Sequence, residues 1–205
     1  MSSVANLELP LGRPIGVLLA AGRGRRLGGS KQFYPWPTAE GEKPLVAAAF
    51  DAIAPVCRSM IVVLGHRAGE VAAVLGKREF HAVQSDPEAP MFESVLAGLQ
   101  AALALDPDAA TLLQPGDHPE VGRATLDKIL AAAEERRALA IIPEFGGRGG
   151  HPALIPAAIA RQLLTADCPQ GVGQYWSAHS DLCLRLAVDD ESVVRDVDTA
   201  RDGSV

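Results

Sequence analysis

Short apolar runs alternate along the chain with longer segments in which apolar residues recur every three or four positions. The short runs carry few charges and are typical of buried strands, whereas the longer segments have the spacing of helices that bury one face. Strands are predicted over Ile15–Ala20, Met60–Leu64, Phe80–Val83, Thr111–Leu113, Ala138–Ile142 and Leu182–Val188, with a further extended segment over Ala153–Ile155. Helices are predicted over Pro44–Ala54, Ala68–Leu75, Glu93–Leu105, Arg123–Arg137 and Ala157–Leu164.

This alternation predicts an α/β fold of three Rossmann-like layers, in which helices cover both faces of a mostly parallel central sheet. The chain has 205 residues and shows no internal repeat, so we expect one domain over residues 1–205, with a flexible N-terminus over 1–13. The segment Phe33–Glu42 is interpreted as a surface loop and mobile flap. Ligands of such sheets bind beyond the carboxyl ends of the strands, so polar residues at those ends are the first candidates for a site.

Charge and cysteine content narrow the function classes. The net charge of −6 gives a nucleic-acid partner no bulk electrostatic support, whereas four cations between Arg23 and Lys31 favour a small anionic ligand. The three cysteines are widely spaced and form no CxxC pair, which fits a reducing cytoplasm better than a disulfide framework. There is no signal-peptide core and no apolar segment of membrane-spanning length, so we predict a cytoplasmic protein with no membrane partner.

The first apolar run ends in a loop rich in glycine and cations, with the sequence LLAAGRGRRLGGSK from Leu18 to Lys31. Glycine lets a backbone approach a ligand closely, and N–H groups and cations gather around anions. The spacing is one residue longer than the dinucleotide motif GxGxxG and does not match the ATPase motif GxxxxGKS/T. The loop predicts a phosphate site in which Arg26 and Lys31 neutralise a triphosphate. An ordinary surface turn is the alternative, and solvated cations are the preferred interpretation of Arg23 and Arg25.

A second candidate follows the strand predicted at Thr111–Leu113, where Pro115 and Gly116 precede Asp117. A carboxylate at this strand end faces the same crevice as the glycine loop, and Mg²⁺ prefers hard oxygen ligands that it can share with phosphates. Asp117 is therefore the strongest metal candidate, with a cap of the following helix as the alternative. His118 is a poorer ligand for Mg²⁺ and is interpreted as lining the site or lying at the surface.

The motifs together resemble the nucleotidyltransferases of the nucleotide-diphospho-sugar transferase fold. Within that group the chain is most similar to the molybdopterin nucleotidyltransferases, and among these to the molybdenum cofactor cytidylyltransferases. The resemblance covers nearly the whole chain and rests most firmly on the glycine loop together with the Gly-Asp-x-Pro motif that contains Asp117. Weaker matches are Pro44-Leu45-Val46, the segment 63–67, Met91-x-x-Ser94, the segment 148–152 and the segment 196–199.

The resemblance implies that a nucleoside triphosphate donates a nucleotide to a phosphate acceptor of the molybdopterin type and that pyrophosphate leaves. Residues implied to bind the nucleotide are Leu19, Ala20, Ala21, Gly22, Gly24, Arg26 and Lys31. Asp198 is implied to join Asp117 on the metal, although an exposed acidic segment is an equal alternative for Asp196 and Asp198. Ser94 and His151 are assigned to the acceptor side, with a helix N-cap and a hydrogen-bonded structural histidine as the respective alternatives.

Base preference is inferred from Ala21, which stands where guanylyl-transferring relatives usually carry a second glycine. A methyl group there narrows the pocket floor, and the resemblance implies a pyrimidine, so CTP is favoured over GTP. Two departures from the family pattern affect the acceptor side: Pro90 replaces a glycine before Met91, and Ala200 replaces a proline after Thr199.

Other functions remain open at this point. Lys31-Gln32-Phe33 is similar to the cytidylyltransferases of the isoprenoid pathway, although the segment after Gly116 differs from theirs. A sugar phosphate or a small phospho-acid is a further alternative acceptor. A non-catalytic cofactor-binding protein, serving as partner or insertase of a molybdoenzyme, is the alternative from another class.

Overall fold

The computed structural model describes residues 12–22 and 31–197. Its strands are β1 (Ile15–Ala20), β2 (Pro35–Thr38), β3 (Gly41–Pro44), β4 (Ser59–Leu64), β5 (His81–Gln84), β6 (Thr111–Pro115), β7 (Ala140–Phe145), β8 (Arg148–Gly149), β9 (Ala153–Ile155) and β10 (Cys183–Ala187). Its helices are α1 (Leu45–Ile53), α2 (Ala68–Leu75), α3 (Met91–Leu105), α4 (Arg123–Glu135), α5 (Ala157–Leu163) and α6 (Val172–Ala178). Over these residues, none of the helices combines the length and apolar character needed to cross a bilayer.

The main sheet runs in the order β10-β7-β9-β6-β1-β4-β5, and β8 pairs with β7. Strand β1 lies in parallel between β4 and β6, and β7 is parallel to β10, whereas β9 is antiparallel to both β6 and β7. The mostly parallel sheet predicted from the sequence is therefore confirmed, and its carboxyl ends form one edge around β1 and β6.

Alternate residues of each strand face two different layers of helices. Leu18, Val62 and Leu112 pack on the face covered by α1, α2 and α4, which we call the α1 face. Val17 and Leu113 pack on the opposite face with residues of α3, α5 and α6, which we call the α3 face. These five side chains are almost completely buried, and burying an aliphatic side chain of this size stabilises a fold by about 1.5–3 kcal/mol. Because both faces of the sheet are buried against helices, the sequences of its strands are uninterrupted apolar runs.

The predicted elements are confirmed with small shifts at their ends. The largest shift is in β7, which ends at Phe145 rather than Ile142. The segment Phe33–Glu42 was expected to be a loop and flap, and this is wrong: β2 and β3 form an antiparallel hairpin. Trp36 anchors the hairpin because its side chain, 5% exposed, packs with Leu45 and Ala48 of α1. Helix α6 was not predicted at all.

Close packing brings β1 and β6 together where they end. The Gly116 N–H donates to the Leu19 carbonyl at 2.9 Å, and a Cβ at position 116 would lie only 2.9 Å from that same oxygen. Glycine is therefore required at the β6 tip, and it holds Asp117 next to the end of β1.

Candidate functional site

A cavity of about 450 Å³ opens at the carboxyl ends of β1 and β6, a size typical of small-molecule sites. The residues that line it come from the ends of β1 and β6, the turn at Lys31, the segment before α3 and the C-terminal segment. They are Leu19, Ala21, Gly22, Lys31, Gln32, Asp86, Pro87, Ala89, Met91, Ser94, Pro115, Gly116, Asp117 and Asp196.

Two carboxylates and one ammonium group meet in this cavity. The Lys31 Nζ lies 2.7 Å from Asp117 Oδ2 and 3.8 Å from Asp196 Oδ2. The Lys31 side chain is only 14% exposed, so water screens these interactions weakly. The end of the glycine loop and the tip of β6 therefore face each other, as the sequence analysis predicted.

A buried glutamine braces the start of the glycine loop. The Gln32 Nε2 donates to the Ala20 carbonyl at 3.1 Å and to the Gly22 carbonyl at 2.7 Å, while Oε1 is buried without a partner. The Ala20 side chain itself packs on the α1 face rather than in the cavity. The sequence analysis missed Gln32, and its position directly after Lys31 was the only available signal.

Asp117 does not cap the helix that follows it, so that alternative is wrong. Helix α4 begins six residues later, and its Gly122 N–H donates instead to Asp190 Oδ2 at 3.2 Å. The Asp117 carbonyl accepts from the Val197 N–H at 3.1 Å, which fixes the C-terminal segment beside the cavity. Val197 is buried against Trp36, and this anchor places the neighbouring Asp196 on Lys31.

Three predicted site residues, Gly24, Arg26 and Asp198, lie outside the described residues. The carboxylate that the structure does place with Asp117 is Asp196, which the sequence analysis treated as one of a pair but did not select. The signal was the spacing of the two aspartates on an extended segment, and the buried Val197 between them is what turns Asp196 towards the cavity.

A pair of buried imidazoles lies behind Asp117. The rings of His118 and His151 meet edge to face with centroids 5.2 Å apart, and Nδ1 of each is buried without a partner. Burial lowers the pKa of His118, and burial together with the neighbouring His118 lowers the pKa of His151 to about 4. His151 is not among the cavity-lining residues, so the expectation that it borders the acceptor pocket is corrected. The surface alternative for His118 is wrong.

Ser94 lines the cavity but does not cap a helix. It is the fourth residue of α3, whose N-cap is Pro90, and its Oγ lies 2.9 Å from Ser85 Oγ. Ser94 sits on the helix that packs over β1 and β4, whereas His151 lies two residues before β9, the strand that pairs with β6. The two residues assigned to the acceptor side are therefore not brought together.

The donor set at the cavity fits a divalent cation. Among residues 12–22 and 31–197 there is no group of three or more histidine, cysteine or acidic side chains arranged to hold a metal ion. The carboxylates of Asp117 and Asp196 nevertheless both lie within 4 Å of the Lys31 ammonium group, so their oxygens face one position that a cation occupies. Two carboxylates with room for phosphate oxygens are the ligand set typical of Mg²⁺.

Comparison with known proteins identifies the family of the chain. The family model described as "MobA-like NTP transferase domain" matches residues 16–182. The molybdenum cofactor guanylyltransferase of Pseudomonas aeruginosa PAO1 is 31% identical over 150 residues, covering 72% of this chain and 70% of that protein. The bifunctional protein GlmU of Brevibacillus brevis is 32% identical over 140 residues, which are 65% of this chain but only 29% of GlmU.

Solved structures of similar proteins cover nearly the whole chain. A nucleotidyl transferase from Methanothermobacter is 25% identical, covers 93% of this chain and 94% of its own, and has a TM-score of 0.75. The Mycobacterium tuberculosis protein Rv0371c, solved in complex with manganese, is 27% identical with coverages of 92% and 94% and a TM-score of 0.71. The chain belongs to the MobA-like NTP transferase family and is, by that membership, a nucleotidyltransferase.

Proposed function

We propose that this enzyme transfers a nucleotide, CMP in preference to GMP, from a nucleoside triphosphate to the phosphate of a molybdopterin-type acceptor in a magnesium-dependent reaction. The observation that carries the proposal is the convergence of Lys31, Asp117 and Asp196 at one end of a cavity of nucleotide size. The curated relatives named as molybdenum cofactor guanylyltransferases support the acceptor class.

The proposed reaction needs no protein nucleophile or general base. An acceptor phosphate is already ionised at neutral pH, and one of its oxygens attacks the α-phosphorus while the bond to the β-phosphate oxygen breaks and pyrophosphate departs. Mg²⁺, when bound by Asp117 and Asp196, would offset the negative charge of the two reacting anions. Lys31 exchanges its contact with Asp117 for a triphosphate oxygen and stabilises the charge that accumulates on the leaving group.

The preference for CTP rests on the fit around Ala21. This residue lines the cavity, is 4% exposed, and packs against Gly65, where a Cβ would lie 2.9 Å from the Ala21 Cβ. The Ala21 methyl group therefore has no room to retreat from a bulky base. A single methyl group in such a pocket discriminates between ligands by about 10-fold or more, which favours the smaller pyrimidine.

The test is pyrophosphate release from each of the four ribonucleoside triphosphates in the presence of molybdopterin, with Mg²⁺ added or removed by a chelator. We expect release with CTP, dependent on both metal and acceptor. Release with GTP alone would contradict the pyrimidine preference. Release with a sugar phosphate, an isoprenoid-precursor phosphate or a phospho-acid, but not with molybdopterin, would contradict the acceptor class.

A further inference from the structure

Arg185 on strand β10 is an exposed arginine without a protein partner. Within the described part of the chain it makes no hydrogen bond or ion pair, whereas Arg58, Arg78 and Arg123 each bind an aspartate. In a protein with net charge −6, an exposed cation that forms no ion pair is a position where an external anion is favoured.

Strand register places the Arg185 side chain on a particular face. Arg185 lies opposite Ile142 of β7, and Gly149 of β8 lies opposite Glu144 of the same strand. Registered residues share a face and residues two apart on a strand also share it, so Arg185 and Gly149 are both on the α3 face with Ile142. The Arg185 guanidinium lies across Gly149: a methyl group built there would overlap Nη1 and lie 3.0 Å from Cζ.

The same register relates Arg185 to the cavity. Leu154 of β9 lies opposite both Ile141 of β7 and Leu112 of β6, so these two residues are level across the sheet. Glu144 of β7 and Pro115 of β6 each lie three residues further along their strands, so they are also level. Gly149 pairs with Glu144 and is therefore level with Pro115, which lines the cavity on the α3 face. Neighbouring strands lie about 5 Å apart, so the guanidinium is roughly 5–10 Å across the sheet from the cavity wall.

The guanidinium is also on the opposite side of β6 from the glycine loop, because β9 and β7 lie on one side of β6 and β1 on the other. A triphosphate held at Lys31 and Asp117 therefore leaves this side of the cavity to the acceptor. An acceptor whose phosphate reaches the α-phosphorus extends from Asp117 across β9 and towards β7.

We propose that Arg185 recognises a second anionic group of the acceptor, apart from its reacting phosphate. The inference rests on the proposed function, because it concerns the acceptor of that reaction. In molybdopterin the group of this chemistry is the dithiolene, which lies between the phosphate and the pterin ring. The planar guanidinium presents several N–H donors at once to such a group. Gly149 leaves room for it, since a side chain at this position would overlap the guanidinium.

The test is the kinetics of Arg185→Gln with molybdopterin and CTP, beside the matched control Arg136→Gln. Arg136 is an exposed arginine at the end of α4, without an ion pair to any described residue. We expect Arg185→Gln to raise the KM for molybdopterin about 10-fold, the loss of one charge-assisted hydrogen bond. The KM for CTP should change less than about 2-fold, and the control should match the wild type.

Gly149→Ala supplies a second, independent variant. Its methyl group would overlap the end of the flexible Arg185 side chain and lie 3.3 Å from Ile142 Cγ2, a contact that a shift of a few tenths of an ångström relieves, so the fold is kept while the guanidinium is displaced. We expect the KM for molybdopterin to rise as in Arg185→Gln, and the double variant to be no worse than Arg185→Gln. An unchanged acceptor KM in Arg185→Gln, or an equal rise in the KM for CTP, would overturn this inference and leave the proposed function standing. An unchanged acceptor KM is also the result expected if Arg185 binds an acidic protein instead. A wild type that turns over CTP but not molybdopterin would overturn the proposed function and this inference with it.

Discussion

The two sides of the cavity differ in how their cations are balanced. On the nucleotide side, Lys31 is nearly buried and lies against the carboxylates of Asp117 and Asp196. On the acceptor side, Arg185 is exposed over Gly149 and forms no ion pair with a described residue. The cation of the nucleotide side is paired with carboxylates before any ligand binds, whereas Arg185 gains an anionic partner only when an anion binds.

The difference separates two tasks. The nucleotide side must exchange internal charge pairs for phosphate and metal, so its residues act on the rate of the reaction. The acceptor side only adds a contact, so its cation acts on affinity. Variants of the two sides should therefore change different kinetic constants. The first two experiments below test this division, and the other two test the stability of the segments beside the cavity.

The largest effect is expected for Asp117→Asn. Removing the carboxylate that is proposed to hold Mg²⁺ between the two reacting anions should lower kcat by about 1000-fold, the loss typical of a central electrostatic contact. The measurement is pyrophosphate release, with folding checked by circular dichroism and with Asp127→Asn, an exposed aspartate on α4 paired with Arg123, as the control. Turnover within 10-fold of the wild type would show that the two sides are not divided as described.

Lys31→Met is expected to have the next largest effect. The variant removes the ammonium group that stabilises the leaving pyrophosphate, so kcat should fall by about 100-fold while the KM for the acceptor stays nearly constant. Steady-state kinetics with each substrate varied in turn measures both constants. Lys128→Met is the control, since Lys128 is an exposed lysine near Asp189. A change confined to the acceptor KM would contradict the assignment of Lys31 to the nucleotide side.

Gly150→Ala tests the support of the C-terminal segment. A Cβ at this position would overlap the Val193 carbonyl oxygen and lie 2.6 Å from its carbon, and the same oxygen accepts from the His151 N–H at 2.7 Å. Because the obstacle is backbone, we expect the free energy of unfolding to fall by about 1–3 kcal/mol.

Urea denaturation measures that loss, and Gly149→Ala in the same hairpin is the control, with a change within about 0.5 kcal/mol. Equal stability of the two variants would show that the contact between Gly150 and Val193 contributes little to holding the segment.

The smallest effect is a dependence of stability on pH through His151. Its folded pKa of about 4 lies below the unfolded value, so the unfolded chain binds more protons and stability is lost as pH falls from about 6.5 towards 4. Between pH 7.5 and pH 5 the loss is about 2 kcal/mol. His151→Gln should flatten this slope in urea titrations, whereas the exposed His81→Gln should keep it. An unchanged slope in His151→Gln would assign the titration to another group.

The sequence predicted the sheet and its carboxyl edge because apolar runs such as Ile15–Ala20 report burial on both faces. It also predicted the meeting of Lys31 and Asp117, since parallel strand ends share one edge. The hairpin was missed because Pro35 and Pro37 flank Trp36, and proline is typical of loops rather than of strands. Helix α6 was missed because its apolar surface consists mainly of Tyr175 and Trp176.

Other features depend on contacts between distant segments. Gln32 is buried where its side-chain amide donates to the carbonyls of Ala20 and Gly22 at the end of β1. Arg185 looks like any exposed strand residue until the register of β10, β7 and β8 places it over Gly149. No local pattern carries such information, since it arises from pairing of segments far apart in the sequence.

The contact between Lys31 and Asp117 has a consequence for the order in which ligands load. A metal ion arriving alone competes with the ammonium group for the carboxylate, and a nucleotide arriving alone competes with the carboxylate for the ammonium group. A magnesium–nucleotide complex, the proposed substrate, would satisfy both residues in one exchange. Each ligand should therefore bind weakly by itself and strengthen the binding of the other, a positive coupling that calorimetric titrations would measure.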